Sequence, residues 1–331
     1  MKSRIRPLGL VLFVVSLCVP SSAFAWGCKG HQTVALIGEK HLTPAAKKLA
    51  HDALQLDPQR SNTGTPCGTQ GLDEFAAAAT WADGVRDPNL DAGWHFVDIP
   101  RGGGADLIDG ICSKSASCII AALKKQMDVL KNPSSVDKDR AAAIRYIIHF
   151  AGDIHQPLHC TTNGDRGGNC VPLTYFKKTP RIEKDRNKNP IPDTYAPELH
   201  GIWDKEMVEG HMKAKGFATA QAYADWLDTN FAAEISALST EPISFEDWAM
   251  DSHQHAEDIA YGDLPKLIPV DQNAGVDVKK CSDNLRIGNR MLHKHISVGQ
   301  QYLDDASDVI DERLMMAGIR LAMILNAIAA S

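Results

Sequence analysis

The run His149-Phe-Ala-Gly-Asp153-Ile-His155-Gln-Pro-Leu-His159 has the spacing of a metal-binding turn. Residues four apart share one face of a helix, so His149 and Asp153 can point at the same ion. Pro157 ends the helix and lets His159 approach from another direction. Glu198-Leu-His200-Gly-Ile-Trp-Asp204 repeats the spacing with His200 and Asp204. Imidazole nitrogen and carboxylate oxygen at about 2.0–2.2 Å are ordinary zinc donors. One such pair alone reads more simply as a helix-surface hydrogen bond. Two pairs plus His159, in apolar surroundings, turn the reading toward metal. Asp83 closes Trp81-Ala-Asp83, and His95, Phe96 and Asp98 follow in Trp94-His-Phe-Val-Asp98. Taken singly, Asp83 reads as a helix-end residue and His95 as a loop histidine.

These donors must be set against the rest of the chain. It has 331 residues, enough to bury a sizeable core in one large domain or two small ones. Lys2, Arg4 and Arg6 precede an apolar run from Leu8 to Val19, and Ala23-Phe24-Ala25 fits a small-x-small cleavage site. The expectation is a signal peptide over residues 1–25, removed on export to a periplasm or the exterior. The apolar run is short for a retained membrane anchor, the alternative reading. Cleavage there frees the Trp26 amine, which with its own carbonyl can chelate a metal, and His31 stands five residues on. The whole chain has 35 basic and 41 acidic residues, a net charge of −6. Three of the basic residues lie in the leader, so the remainder is more acidic still. Such a chain has no global field to attract a polyanion, and any nucleic-acid chemistry must come from local charge.

Eight cysteines occur, one of them in the leader. Export permits disulfides, and the preferred pairs are Cys112–Cys118, Cys160–Cys170 and Cys28–Cys67, with Cys281 free. No cysteine spacing resembles a zinc site, so His and carboxylates must hold any metal.

Apolar residues at three-to-four spacing predict helices over Thr33–Asp57, Asp73–Ala82, Ser117–Lys131, Lys138–Ile154, Ala220–Leu238, Ser244–Ile259 and Val298–Ala330. Thr43-Pro44 and Ser244-Phe-Glu246 read as helix starts. Val171–Phe176 is the best strand candidate. Gly/Pro-rich stretches predict long loops over Ser61–Gly71, Pro100–Gly110 and Thr179–Pro197. Arg313 and Arg320 interrupt the apolar final helix, which argues for a core helix and against a membrane span.

The set Trp26, His31, Asp83, His95, His149, Asp153, His159, His200 and Asp204, in that order, resembles the zinc-dependent single-strand-specific nucleases of fungi, plants and bacteria, the P-one and S-one type. The tail Ala317-Gly-Ile-Arg-Leu-Ala-Met-Ile-Leu-Asn326 extends the likeness over almost the whole chain after residue 25. The resemblance implies an all-α fold, one large mainly helical domain of the phospholipase C and P-one nuclease type with long loops and a minor β-hairpin. It implies three Zn2+ ions. Asp83, His95, His149 and Asp153 would hold one; the Trp26 amine and carbonyl, His31 and Asp153 a close partner; and His159, His200 and Asp204 the third. His155 matches a family position that is not a ligand and is expected to be a hydrogen-bonded helix-end histidine. Arg86 would face the phosphate, Phe96 would stack on an unpaired base, Asp98 would accept from its edge, and Asn169 in Asp165-Arg-Gly-Gly-Asn169 would contact substrate. The implied activity is endonucleolytic hydrolysis of single-stranded DNA and RNA to 5′-phosphates, with 3′-nucleotidase activity.

The physics is consistent with that. Three divalent ions against Asp83, Asp153 and Asp204 leave a site roughly three charges positive inside an acidic protein. Paired ions about 3.5–4 Å apart supply a bridging hydroxide near neutral pH, expected here to attack phosphorus in line. One departure stands out. Lys177, Lys178, Arg181, Lys184, Arg186 and Lys188 form a basic insertion opposed only by Glu183 and Asp185, expected either to be a solvated loop or to act as a mobile flap guiding nucleic acid. Two other readings stay open, a zinc phospholipase C of related fold and an exported zinc-binding protein without catalysis. No stable membrane association is expected, and a monomer is the default.

Overall fold

Thr43 and Pro44 divide the long apolar periodicity that begins at Thr33. The Thr43 side chain accepts from Ala46 N at 3.2 Å and Pro44 occupies the first helical position, so one helix stops and another starts. The computed structural model describes residues 26–58, 67–85, 91–115, 118–185, 187–265, 268–271, 280–281 and 296–331. The leader, Arg86 and Arg186 lie outside the described residues, as does most of the expected loop Ser61–Gly71.

In chain order the helices are α1 (Gly27–Lys40), α2 (Pro44–Gln55), α3 (Glu74–Ala78), α4 (Trp81–Gly84), α5 (Ile108–Ser115), α6 (Ile119–Lys131), α7 (Asp137–Asp153), α8 (Leu199–Gly201), α9 (Met207–Ala214), α10 (Ala220–Asn230), α11 (Ala232–Leu238), α12 (Phe245–His255) and α13 (Gln300–Ala329). The strands are β1 (Leu173–Tyr175), β2 (Arg181–Lys184), β3 (Pro190–Ala196) and β4 (Ile296–Val298). The protein is thus a single mainly helical domain with very little sheet, as expected.

α1, α7 and α13 form the centre. α1 packs along α13 and α10, and α7 packs on α6, α2 and α13. Gly318 permits the α1–α13 approach, since a Cβ there would lie 2.6 Å from Ile37 Cβ. Arg313 and Arg320 of α13 are buried yet partnered, Arg313 with Asp251 and Arg320 with His155 Nε2 at 3.0 Å. Among the described residues no helix is long and apolar enough to cross a membrane.

Periodicity located the helices better than their ends. Asp73–Ala82 is two short helices, and Ala220–Leu238 breaks at Phe231. The strand expected at Val171–Phe176 is β1, and it pairs parallel with β4, over a hundred residues away. The loop expected over Thr179–Pro197 is corrected to an antiparallel hairpin, β2 against β3. Its tip is closed locally, because Asp185 Oδ1 accepts from Asn187 N and Asn189 N at 2.8 Å each. The loop expected over Pro100–Gly110 is shorter than that range, since a 3-10 turn (Ala105–Leu107) and the start of α5 lie within it.

The disulfides need a correction too. Cys28–Cys67 and Cys112–Cys118 form as expected, but Cys170 joins Cys281, and among the described residues Cys160 is the free thiol. Cys160 ends a 3-10 turn (Pro157–Cys160) with its Sγ turned inward to Ile154 O at 3.4 Å, fully buried. Closeness in sequence was the only ground for pairing it with Cys170.

Candidate metal centre

α7 delivers the first two donors. His149 and Asp153 are one turn apart on its buried face, and His149 Nε2 lies 3.2 Å from Asp153 Oδ2. A 3-10 turn (Ala92–His95) brings in His95, whose Nδ1 is 3.0 Å from the same oxygen and 3.2 Å from His149 Nε2. Asp83 arrives at the end of α4, with Oδ1 at 3.5 Å from His149 Nε2 and 3.8 Å from His95 Nδ1. On the other side of Asp153, His31 of α1 places Nε2 3.2 Å from Oδ1 and stacks on His149 with ring centres 4.0 Å apart. One carboxylate therefore addresses two donor groups, one through each oxygen.

The next group lies one turn beyond α7. His159 and His200 face each other Nε2 to Nε2 at 3.1 Å. Asp204 stands on a π-type turn (Ile202–Glu206), with Oδ2 3.4 Å from His200 Nε2 and Oδ1 3.9 Å from His159 Nε2. Among the described residues there are thus three groups able to hold a metal ion: His31/His149/Asp153, Asp83/His95/His149 and His159/His200/Asp204, all buried.

The proton arrangement suits cations. His149 Nδ1 donates to Ala79 O, His159 Nδ1 to His95 O and His200 Nδ1 to Gly167 O, each at 2.7 Å. With Nδ1 committed to a carbonyl, each ring turns its Nε2 inward, the usual way a protein orients a ligating histidine. Both Asp83 oxygens, Asp153 Oδ1, Asp204 Oδ2 and both His31 nitrogens are buried without a hydrogen-bond partner. Buried acceptors left unpaired are costly, and a bound divalent ion is the partner this donor chemistry fits.

The two regions differ in charge. Around α7, burial disfavours the carboxylates, but the charge of His149 overrides it and holds Asp153 well below the usual range and Asp83 below it too. His149 is in turn raised well above the ordinary imidazole value, burial being outweighed by Asp153 and Asp83. In the other group burial wins. It pushes Asp204 well up, helped by the charges of Glu198, Asp83 and Asp153, and pulls His159 down to about 4.

The backbone is cut to fit. Gly152 gives His31 its place, since a Cβ there would lie 2.7 Å from His31 Nδ1. Gly167, at φ 59°, offers its carbonyl to His200 while a Cβ would lie 2.3 Å from Leu158 O. The Trp26 ring is buried above the α7 end, its Nε1 donating to Gly152 O at 2.9 Å. Gln156 Nε2 donates to Asp204 Oδ1 at 2.5 Å and so orients that carboxylate. Gly152, Gln156 and the glycine carbonyl were not among the residues singled out from sequence, although Gly152 and Gln156 sit inside the motif itself. His155, expected not to be a ligand, donates from Nδ1 to Ala151 O at 2.7 Å and faces Arg320.

Phe96 and Asp98 follow His95 in extended chain. Both are half-buried and alternate with the buried Val97 and Ile99, so they share a face. Val97 N donates to His159 O at 2.8 Å, which lays this segment beside both donor regions. Asn169 is half-buried, its Nδ2 turned back onto Arg166 O at 2.7 Å. Arg86, expected at the phosphate, lies outside the described residues.

A helical domain with three buried His/Asp groups at its centre has the build of a metal-ion hydrolase. The family model described as S1/P1 Nuclease matches residues 26–330, and the chain belongs to that family. It is 27% identical over 333 residues to Nuclease S1 of Aspergillus oryzae (strain ATCC 42149 / RIB 40), covering 98% of each chain. It is 26% identical over 212 residues to Nuclease P1 of Penicillium citrinum, covering 62% of this chain and 66% of the relative. Endonuclease 1 of Arabidopsis thaliana is 21% identical over 342 residues, covering 96% of this chain and 92% of the relative. The protein is accordingly a nuclease acting on nucleic acid, which favours the nuclease reading over the phospholipase C and the zinc-binding alternatives.

Proposed function

We propose that the chain is an exported zinc-dependent endonuclease that cuts single-stranded DNA and RNA to 5′-phosphate products and also acts as a 3′-nucleotidase, working as a monomer after removal of residues 1–25. The observation that carries this reading is Asp153, whose two oxygens face two separate sets of buried donors. Asp83, His95, His149 and Asp153 would hold one ion; His31, Asp153 and the Trp26 amine and carbonyl a second; His159, His200 and Asp204 a third. When bound, zinc ions supply Lewis acidity at the phosphate and lower the pKa of water there to about 7. The chain's own part is placement. Ala79, His95 and Gly167 carbonyls orient the histidines, Gln156 orients Asp204, and Gly152 makes room for His31 while its carbonyl holds the Trp26 ring. Phe96 would stack on a base and Asp98 accept from its edge, which an unpaired strand permits and a duplex hinders. Arg86 would steady the phosphate, and Asn169 would use its side-chain oxygen.

The test is to express the chain with its leader, read the N-terminus, count metal and follow hydrolysis of single-stranded DNA before and after chelation. A parallel sample carries one extra residue before Trp26. About three zincs, 5′-phosphate products and loss of activity in the extended form are expected. Full activity with the extension would remove the Trp26 amine from the site. Full zinc without nuclease activity would overturn the proposal.

A further inference from the structure

Residues 176–196 carry charge and aromatic surface that the donor groups leave unused. Lys177, Lys178, Arg181, Lys184 and Lys188 are all exposed, and among the described residues none of them pairs with a carboxylate. The Asp185 carboxylate is taken up by the backbone of the hairpin tip. This concentration of positive charge sits on a chain with more acidic than basic residues.

An aromatic ring stands at its edge. Phe176 is 44% exposed and is held in the left-handed region, φ 53°, where a bulky residue is rare. Its backbone is fixed: Phe176 N donates to Val298 O at 2.8 Å, and Tyr175 and Lys178 exchange two hydrogen bonds of 3.0 Å around it. Tyr175 packs against it in a T-shaped pair with ring centres 4.8 Å apart, the one aromatic contact of Phe176 among the described residues. Across the ladder, exposed Ile182 pairs with half-buried Tyr195.

The base of this arm is tied to the donor groups. Leu173 N donates to Pro197 O at 3.2 Å and Leu199 N to Val171 O at 2.9 Å, immediately before His200. The arm therefore leaves the body between the Gly167 turn that holds His200 and His200 itself.

We propose that the Phe176–Lys178 turn and the β2–β3 hairpin form a docking arm for single-stranded nucleic acid running beyond the cleavage position, with phosphates on the five cations and a base stacked on Phe176. The inference rests on the nuclease reading and adds to it a preference for long strands over short ones. Stacking accepts any base, and cations along an extended ladder follow a backbone without reading sequence.

The test compares wild type with a variant in which Lys177, Lys178, Arg181, Lys184 and Lys188 are all changed to Gln, and with Phe176→Ala and Phe176→Trp. Binding is read by fluorescence anisotropy on a phosphorothioate DNA strand of about 20 nucleotides, longer than a single site needs, across a salt series. Hydrolysis is read as kcat and KM on the unmodified strand and on a dinucleotide. The charge variant should raise KM for the long strand about tenfold or more, leave the dinucleotide within about twofold, and flatten the salt slope by about 0.7 per lost phosphate contact. Phe176→Ala should weaken long-strand binding about fivefold or more, with little change in slope, and Phe176→Trp should restore it. Equal losses on both substrates, or no change on the long strand in variants whose melting temperature is unaltered, would overturn the arm. If wild type cleaved neither substrate, the nuclease reading would fall, and anisotropy alone would decide whether the arm binds nucleic acid.

Discussion

The end of α7 has two sides that use histidine in opposite ways. On one side His149 meets Asp153, Asp83 and His95, a set rich in carboxylate with its nitrogens turned inward. On the other, six residues further on, His155 is enclosed by Arg313 and Arg320 of α13 and by Trp248 of α12. Burial and the two guanidinium charges hold His155 well below the ordinary imidazole range, so it stays a neutral acceptor for Arg320. Among the described residues no carboxylate pairs with His155 itself, and two positive charges stand beside it. Residue type and motif are shared; the sign of the surrounding charge separates a candidate ligand from a structural histidine.

Breaking the carboxylate side should have the largest effect. Asp153→Asn removes the shared acceptor, and kcat/KM on single-stranded DNA should fall more than about a thousandfold, since metal-ion stabilisation is worth several kcal/mol. Metal analysis should find about two fewer ions per chain than wild type; retention of the wild-type metal content would show that Asp153 does not join the two groups. Gln156→Leu, which leaves Asp204 without its orienting donor, should cost about 10- to 100-fold in activity or in affinity for one ion. An unchanged variant would remove Gln156 from the positioning set.

The arginine side should answer in stability rather than chemistry. His155→Leu leaves the Arg320 guanidinium short of an acceptor and should lower stability by about 1–3 kcal/mol, a fall of several degrees in Tm. Its metal content and dinucleotide turnover should match wild type. Loss of an ion in that variant would contradict the division drawn above. Asp251→Asn should have the smallest effect, about 1 kcal/mol, because Asp251 is partly exposed and solvent screens its pair with buried Arg313. Burial acts to raise the Asp251 pKa, but the Arg313 charge outweighs it and holds the carboxyl below its ordinary 3.8. The folded value being the lower one, this stabilisation is present above about pH 3.8 and is lost as pH falls through the folded value. Melting curves from neutral pH downward should therefore show wild type losing stability at the acid end more steeply than Asp251→Asn. Parallel curves would mean that the pair contributes nothing.

Much of this was legible before any fold was known, because it depended on local geometry. The four-residue spacing of His149 and Asp153, and of His200 and Asp204, puts each pair on one face of a turn whatever packs against it. Thr43-Pro44 stops one helix and starts another by the same local rules. The order of donors from Trp26 to Asp204 was enough to suggest the family. Boundaries were less legible, since helix ends depend on caps and partners as well as on periodicity.

What lay beyond reach required atoms from distant parts of the chain. Nearness in sequence points to Cys160–Cys170, whereas the side chain of Cys160 points into the core and Cys170 meets Cys281 from 111 residues away. β1 finds a parallel partner that no local pattern announces, and the basic segment read as a loop folds back on itself as a hairpin. Gly152 was visible in the motif, but its purpose was not, because the group it makes room for sits on α1. By itself the sequence determined which residues could donate to a metal and which helical faces they occupy, since both follow from residue type and the helical repeat. The tertiary structure alone decided which donors meet, which histidine faces carboxylate and which faces arginine, because charge environment is a property of the elements that close around a residue.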